Sequence, residues 1–230
     1  MFHRLALAVL ALASTSLHAT TYTFEPQHAE GIVRWNHLGY SHPTAQFTRI
    51  EGTLDFDPAN PTAASVMVTI PIANLSSGVP DLDDYLHAEE FFNLAKFPTA
   101  TFKSTRVEKG PAADQFKISG NLSLRGVTKP VVLDATLNKI GTNPRNSLPC
   151  IGFEVTTTLK RSDFGLALYV PQVGDEIEVH ITAQADESKG WAEEMKKLAA
   201  EAARSAKTAA DKAAAADAAA KTTMDAEKKQ

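Results

Sequence analysis

Apolar and polar residues alternate along most of the chain as far as Ala185. Between Ser65 and Ile72, Val66, Val68, Ile70 and Ile72 fall on one side, with Ser65, Met67, Thr69 and Pro71 on the other. The stretch from Gln115 to Arg125 alternates strictly, with Phe116, Ile118, Gly120, Leu122 and Leu124 set against polar neighbours. Successive side chains of an extended chain point to opposite faces, so a period of two marks a strand with one buried and one wet face. Similar runs at Thr21–Phe24, Gly31–His37, Phe47–Phe56, Thr99–Val107, Val131–Ile140, Ile151–Arg161 and Glu176–Ala185 predict about eight or nine strands, several bounded by Gly, Pro or Asn. So many half-wet strands must cover their edges, which leaves two all-β architectures, a two-sheet sandwich or a closed antiparallel barrel. The alternation fits both.

Two segments depart from the strand pattern. From Asp81 to Phe92 the apolar residues Leu82, Tyr85 and Leu86 recur at helical spacing, and acidic residues crowd the first turn, where the helix dipole favours them. Phe91, Phe92 and Phe97 follow, too much aromatic surface for a solvated connection, so this short helical excursion is expected to fold back over one end of the domain. Composition then changes near Glu187. Ten of the eleven Phe lie between Phe24 and Phe164, whereas Trp191 to Ala220 is rich in Ala, Lys, Glu and Asp, residues that favour helix. Few large apolar residues interrupt the alanine, so the tail 187–230 reads as an exposed helical tail, partly disordered, with a spacer role or an unknown partner.

Charge and cysteine narrow the setting. The first 19 residues run from His3 and Arg4 through an apolar stretch, Leu5 to Leu12, to small residues ending at Ala19. That order describes a cleavable signal peptide, with the mature chain starting near Thr20 in the periplasm or outside the cell. The net charge of −4 becomes −5 without Arg4, and the nine acidic and nine basic residues from Asp186 onward cancel. The barrel or sandwich at 20–186 is therefore mildly acidic, which argues against nucleic acid as a partner. A single cysteine, Cys150, excludes a disulfide framework, so an apolar core must hold the fold. The thiol reads as buried and inert.

The string Leu124-Arg125-Gly126-Val127-Thr128-Lys129-Pro130-Val131 resembles the hGVTKPV signature of the YceI-like family. His28, His37-Leu38-Gly39, Gly52 to Asp57, Phe91-Phe92, Lys96-Phe97-Pro98, Thr101 to Thr105, Arg161 to Gly165 and Val173-Gly174-Asp175 follow in the family's order. The resemblance covers Thr20 to about Ala185. It implies a lipocalin-like, up-and-down β-barrel of about eight strands and no catalysis. It also implies a periplasmic or secreted binding protein whose cavity shelters a long isoprenoid chain, a polyprenyl carrier or a quinone. No cofactor beyond that lipid is expected. Transient membrane contact and a homodimer are both compatible with it. Tyr85 stands where the family frequently has His.

An apolar cavity would be walled by some of Trp35, Phe56, Val68, Ile70, Leu75, Leu86, Phe91, Phe92, Phe97, Phe102, Leu122, Leu124 and Phe164. Any one of these taken singly is better explained by core packing, because a small barrel can fill itself. Those on the irregular segment, Phe91, Phe92 and Phe97, are the stronger wall candidates. The polar candidates are His28, His37 and Arg161, with Arg161 and Asp163 also suited to fixing the turn before Gly165. A metal enzyme built on His28, His37 and His42 with Asp83 or Asp84 lacks the spacing of zinc hydrolases. A serine hydrolase lacks the Gly-x-Ser-x-Gly turn. Two readings remain beside the isoprenoid one, a filled structural or adhesive envelope barrel and a binder of other lipophiles such as fatty acids, amides or antibiotics.

Overall fold

The computed structural model describes the backbone of residues 19–227 and side chains as far as residue 216. Apart from Ala19, the expected signal peptide lies outside the described residues, as do the last three residues of the tail. Ten strands form one antiparallel sheet: β1 (Thr20–His37), β2 (Thr44–Phe47), β3 (Glu51–Phe56), β4 (Ser65–Pro71), β5 (Leu75–Ser76), β6 (Thr99–Lys109), β7 (Gln115–Leu124), β8 (Val127–Thr142), β9 (Pro149–Lys160) and β10 (Val173–Glu187). Two α-helices accompany them, α1 (Pro80–His87) and α2 (Ser188–Glu227).

The sheet closes on itself. The order β1–β3–β4–β6–β7–β8–β9–β10 returns to β1, so eight strands make a barrel, which decides barrel over sandwich. Each neighbour runs antiparallel to the last, so closure leaves no long free edge. Strand β1 serves two neighbours along one edge. Its residues Thr20 to Thr23 pair with β3, and Gly31 to Arg34 pair with β2, which in turn carries the short β5.

Two strand boundaries differ from the sequence reading. Thr21–Phe24 and Gly31–His37 belong to one continuous strand, because β1 bends through a register shift between Phe24 and Ala29 and keeps pairing with β10 on both sides. Within the bend the buried Glu25 is satisfied by His28 Nδ1 at 2.6 Å and by Gln184 Nε2 at 3.1 Å. The run Phe47–Phe56 is two strands instead of one. Arg49 adopts a φ of 59°, which breaks the extended chain and sends β2 and β3 to different stretches of β1.

The two ends of the barrel differ in filling. At the end where β10 finishes, Tyr22, Phe24, Leu54, Phe56, Ile151, Ala183 and Ala185 form one buried cluster, with Val107, Phe116 and Ala135 in a second beside it. The Phe56 and Phe153 rings meet edge to face at 6.2 Å. Asp186, fully buried here, accepts hydrogen bonds from the amides of Asn143 and Asn146. Helix α2 is rooted at this filled end. The Glu187 carboxylate accepts the backbone N–H groups of Lys189 and Gly190, and the Thr23 and Ser188 hydroxyls meet at 2.8 Å. A side-chain acceptor for the first free N–H groups is what starts a helix cleanly.

Cys150 lies near Asp186. Burial, and next the hydrogen bond to Asp186, push its thiol up from 9.0 to about 12. Thiolate at pH 8 is therefore scarcer by about a thousandfold than in an ordinary cysteine, and alkylation follows thiolate. Iodoacetamide at pH 8 should label Cys150 slowly in native protein and fast in denaturant. Equal rates in the two states would show an accessible, ordinary thiol.

Candidate functional site

The opposite end of the barrel is hollow. Alternation places Gly31, Val33, Trp35 and His37 of β1, Ile70 of β4, Ala100 of β6, Leu122 and Leu124 of β7, Leu159 of β9 and Ile177, Val179 and Ile181 of β10 on the inner face, and these surround a cavity of about 300 Å³. That volume lies at the lower end of the range for small-molecule sites. The long β4–β6 connection covers it. Helix α1 begins at Pro80, whose fixed φ suits the first helical turn, and buries Leu86 against Leu75 and Ala45. Leu82, Phe91 and Phe92 pack on the same cluster, and Phe92 meets Phe47 edge to face at 6.2 Å. The lid is thus held by apolar contact.

Three polar devices fix it. Asp83 accepts the Ser77 backbone N–H at 2.5 Å and the hydroxyls of Ser76 and Ser77 at 2.7 and 2.6 Å, tying α1 to the chain before it. The Ser77 donors hold the Asp83 carboxyl below its ordinary range. Arg125, in the turn between β7 and β8, donates to the carbonyls of Glu89, Phe91 and Gly165. It therefore bridges the lid and the β9–β10 loop. Its neighbour Gly126 has a φ of +76°, and an added Cβ would stand 2.7 Å from the Phe97 ring, so the signature glycine is needed both for the turn and for Phe97 to lie on it. Third, the Tyr85 hydroxyl donates to that of Tyr169 at 3.1 Å across the mouth. This bond, with some burial, raises the Tyr85 phenol from 10.0 to about 12.

The β9–β10 loop closes the other side. Arg161 is buried, and its guanidinium donates to the carbonyls of Leu166, Val173 and Gly174. Burial lowers its pKa, and the nearby Asp175 opposes that effect. The turn-fixing role expected of Asp163 falls to Asp175, which accepts the Ser162 N–H and hydroxyl at 2.9 and 2.8 Å. Burial works against the Asp175 charge, but the Ser162 donors outweigh it and lower the pKa. Asp163 is exposed.

Of the residues singled out in the sequence, Trp35, Ile70, Leu75, Leu86, Phe91, Phe92, Leu122, Leu124, Phe164, His37 and Arg161 line the cavity. Five others lie elsewhere. Phe56 and Val68 belong to the filled half, where they pack in the same cluster as Leu54. Phe102 is buried over Gly120, where an added Cβ would stand 2.3 Å from its ring. Phe97 packs on Gly126 outside the lining, with Lys96 Nζ 5.3 Å from its ring centre. His28 pairs with Glu25 in the β1 bend, because a buried carboxylate there needs a donor.

Reasoning from sequence missed Ile177, Val179, Ile181 and Leu159, although their alternation was visible, and it missed Tyr169, which sits in an irregular loop that carries no pattern. Among the described residues no group of three or more His, Cys, Asp or Glu side chains is placed to hold a metal ion.

An eight-stranded antiparallel barrel, filled at one end and hollow beneath a lid at the other, defines the class: a lipocalin-like barrel with an enclosed apolar interior. A profile of the YceI-like domain matches residues 22–185, and the chain belongs to the YceI-like family. The UPF0312 protein of Pectobacterium atrosepticum is 39% identical over 181 residues, which span 78% of this chain and 92% of that one. The crystal structure of the Campylobacter jejuni YceI protein superposes with a TM-score of 0.59 at 27% identity, covering 80% of this chain and 99% of that one. A polyisoprenoid binding domain from Saccharophagus degradans shares the fold with a TM-score of 0.55 at 12% identity, covering 73% and 99% of the two chains.

Proposed function

We propose that this protein is an exported, non-catalytic carrier that holds the chain of an isoprenoid lipid in the lidded half of its barrel. The observation that carries the reading is the lining. Around the cavity the polar side chains are His37, Tyr85, Arg161 and Tyr169, and the rest of the wall is aliphatic or aromatic apart from Gly31. Such a wall selects by width and length, which suits a linear chain of methyl-bearing isoprene units. Each buried methylene is worth about 0.8 kcal/mol against water, but the competing home of a lipid is the bilayer, so a carrier needs few strong anchors. The Saccharophagus degradans relative in fold, a polyisoprenoid binding domain, supports the same ligand class.

The charges favour a neutral headgroup, a quinone or a free polyprenol. The Arg161 and Arg125 guanidiniums are occupied by backbone carbonyls. From Pro80 to Phe97 the lid carries Asp81, Asp83, Asp84, Glu89 and Glu90 against Lys96 alone. A diphosphate would meet like charge at the mouth.

Native mass spectrometry of the chain purified from its own host, followed by lipid extraction, tests the reading. A bound prenyl lipid is the expected result, and persistent absence of any lipophile counts against it. Phe92→Ala opens the wall between lid and β2, so lipid retained per protein should fall severalfold with unchanged circular dichroism. Lipid content equal to the parent's would take Phe92 out of the wall.

A further inference from the structure

Of the ten large apolar side chains exposed on the barrel, Ile32, Met67, Val132 and Ile140 lie along strands β1, β4 and β8, and the other six gather at one end. Leu38, Tyr40, Val79, Tyr85, Leu168 and Tyr169 are all exposed, and all six belong to segments at the hollow end. They come from the β1–β2 turn, the entry to α1, α1 itself and the β9–β10 loop. These segments touch. The Leu38 N–H donates to Gln172 O at 3.1 Å, and the Tyr85 hydroxyl reaches that of Tyr169. Isolated exposed apolar residues are ordinary, but a contiguous patch marks an interaction surface.

The backbone supplies an independent observation. Leu38 has a φ of 57° and Tyr169 a φ of 63°, in the left-handed region where a Cβ is crowded and Gly or Asn is the usual occupant. The Leu38 side chain, strained and wet, gives nothing back to folding, and Tyr169 returns only its hydroxyl contact with Tyr85 and its share of the cavity wall. Tyr40, 92% exposed, gives nothing back either. Strain retained without structural return points to a role at the surface.

We propose that this rim is a docking surface for an electrically neutral lipid bilayer. Leu38, Val79 and Leu168 supply the aliphatic part that enters the acyl boundary. Tyr40, Tyr85 and Tyr169 are amphipathic side chains of the type that settles among headgroups. The acidic lid sets the sign of the surface, since its five carboxylates against one lysine repel anionic headgroups. The same charge disfavours a second copy of the chain, which would bring two acidic lids together. The rim also runs into the cavity, whose lining includes Tyr85 and Tyr169. A lipid chain can therefore pass from bilayer to barrel without crossing water; this last step rests on the isoprenoid reading, and the docking itself does not.

The test uses the full mature chain stripped of ligand, floated with phosphatidylcholine vesicles, with sedimentation velocity run in parallel. The variant carries Leu38→Asn, Tyr40→Ser and Val79→Ser, none of which lines the cavity. It is expected to partition onto vesicles at least about tenfold less than the parent, as the loss of several apolar anchors requires. It should keep the circular dichroism of the parent and melt no lower, because Asn is at ease in the left-handed conformation at position 38. Mixing anionic phosphatidylglycerol into the vesicles should weaken the parent's binding. The proposal is overturned if the parent stays in the buffer, if the variant floats equally well, or if anionic lipid strengthens binding. It is also overturned if the parent sediments as a dimer that the substitutions dissolve. Failure of the isoprenoid reading would appear separately, in the lipid extracted from unstripped protein.

Discussion

Gly52→Ala is expected to destabilise the barrel by about 3 kcal/mol or more, enough to prevent accumulation of folded protein if the parent has ordinary stability. Gly52 lies in β3 opposite Val68 of β4 with a φ of +151°, a region open only to glycine. A Cβ there would stand 2.1 Å from Met67 O and 2.9 Å from Val68 Cα. Both atoms are backbone of a hydrogen-bonded neighbour, so relief requires the two strands to part, and side-chain rearrangement cannot provide it. Urea titration followed by circular dichroism checks this. A midpoint within error of the parent's would show that β3 and β4 do not approach so closely in solution.

Arg161→Ala should cost about 3–5 kcal/mol, the scale seen when a buried charged partner is removed from its acceptors. The loss is not one of net charge. Three carbonyls, of Leu166, Val173 and Gly174, lose their donor in a place where the side chain was buried. Each unsatisfied group costs about 1–3 kcal/mol, reduced where water can enter. Arg161→Lys should recover only part of this, because an ammonium cannot spread three donors over a planar fork. Hydrogen exchange separates this from a general loss of stability. Protection should fall first between residues 165 and 175, where the loop and the start of β10 hang on the guanidinium. Unaltered protection there, with a midpoint shifted by less than about 1 kcal/mol, would deny Arg161 that role.

The strands were largely legible because each face of the barrel wall meets a different medium. Val66, Val68, Ile70 and Ile72 show why the site was less so. Alternation tells inward from outward, and all four are inward-facing, but it says nothing of height along the barrel. Ile70 and Ile72 line the cavity, while Val66 and Val68 lie a level below and pack the filled half. Ala100 and Phe102 on β6 divide in the same way. Large size was a poor guide for the same reason, since Phe56 and Phe102 plug the barrel, whereas Gly31, Ala45 and Ala100 leave the space. The lid was readable from its helical spacing and its aromatic load. Its fastening by Arg125 was not, because that side chain binds backbone carbonyls, which no sequence pattern records.

Helix α2 springs from the floor of the barrel, beside Thr23 and Asp186, and not from the rim. Its 40 residues extend for about 60 Å at the usual rise per residue. A handle fixed to the base of a cup can be gripped without covering the opening. Shortening or exchanging this appendage should therefore alter where the molecule is held while leaving traffic through the doorway untouched.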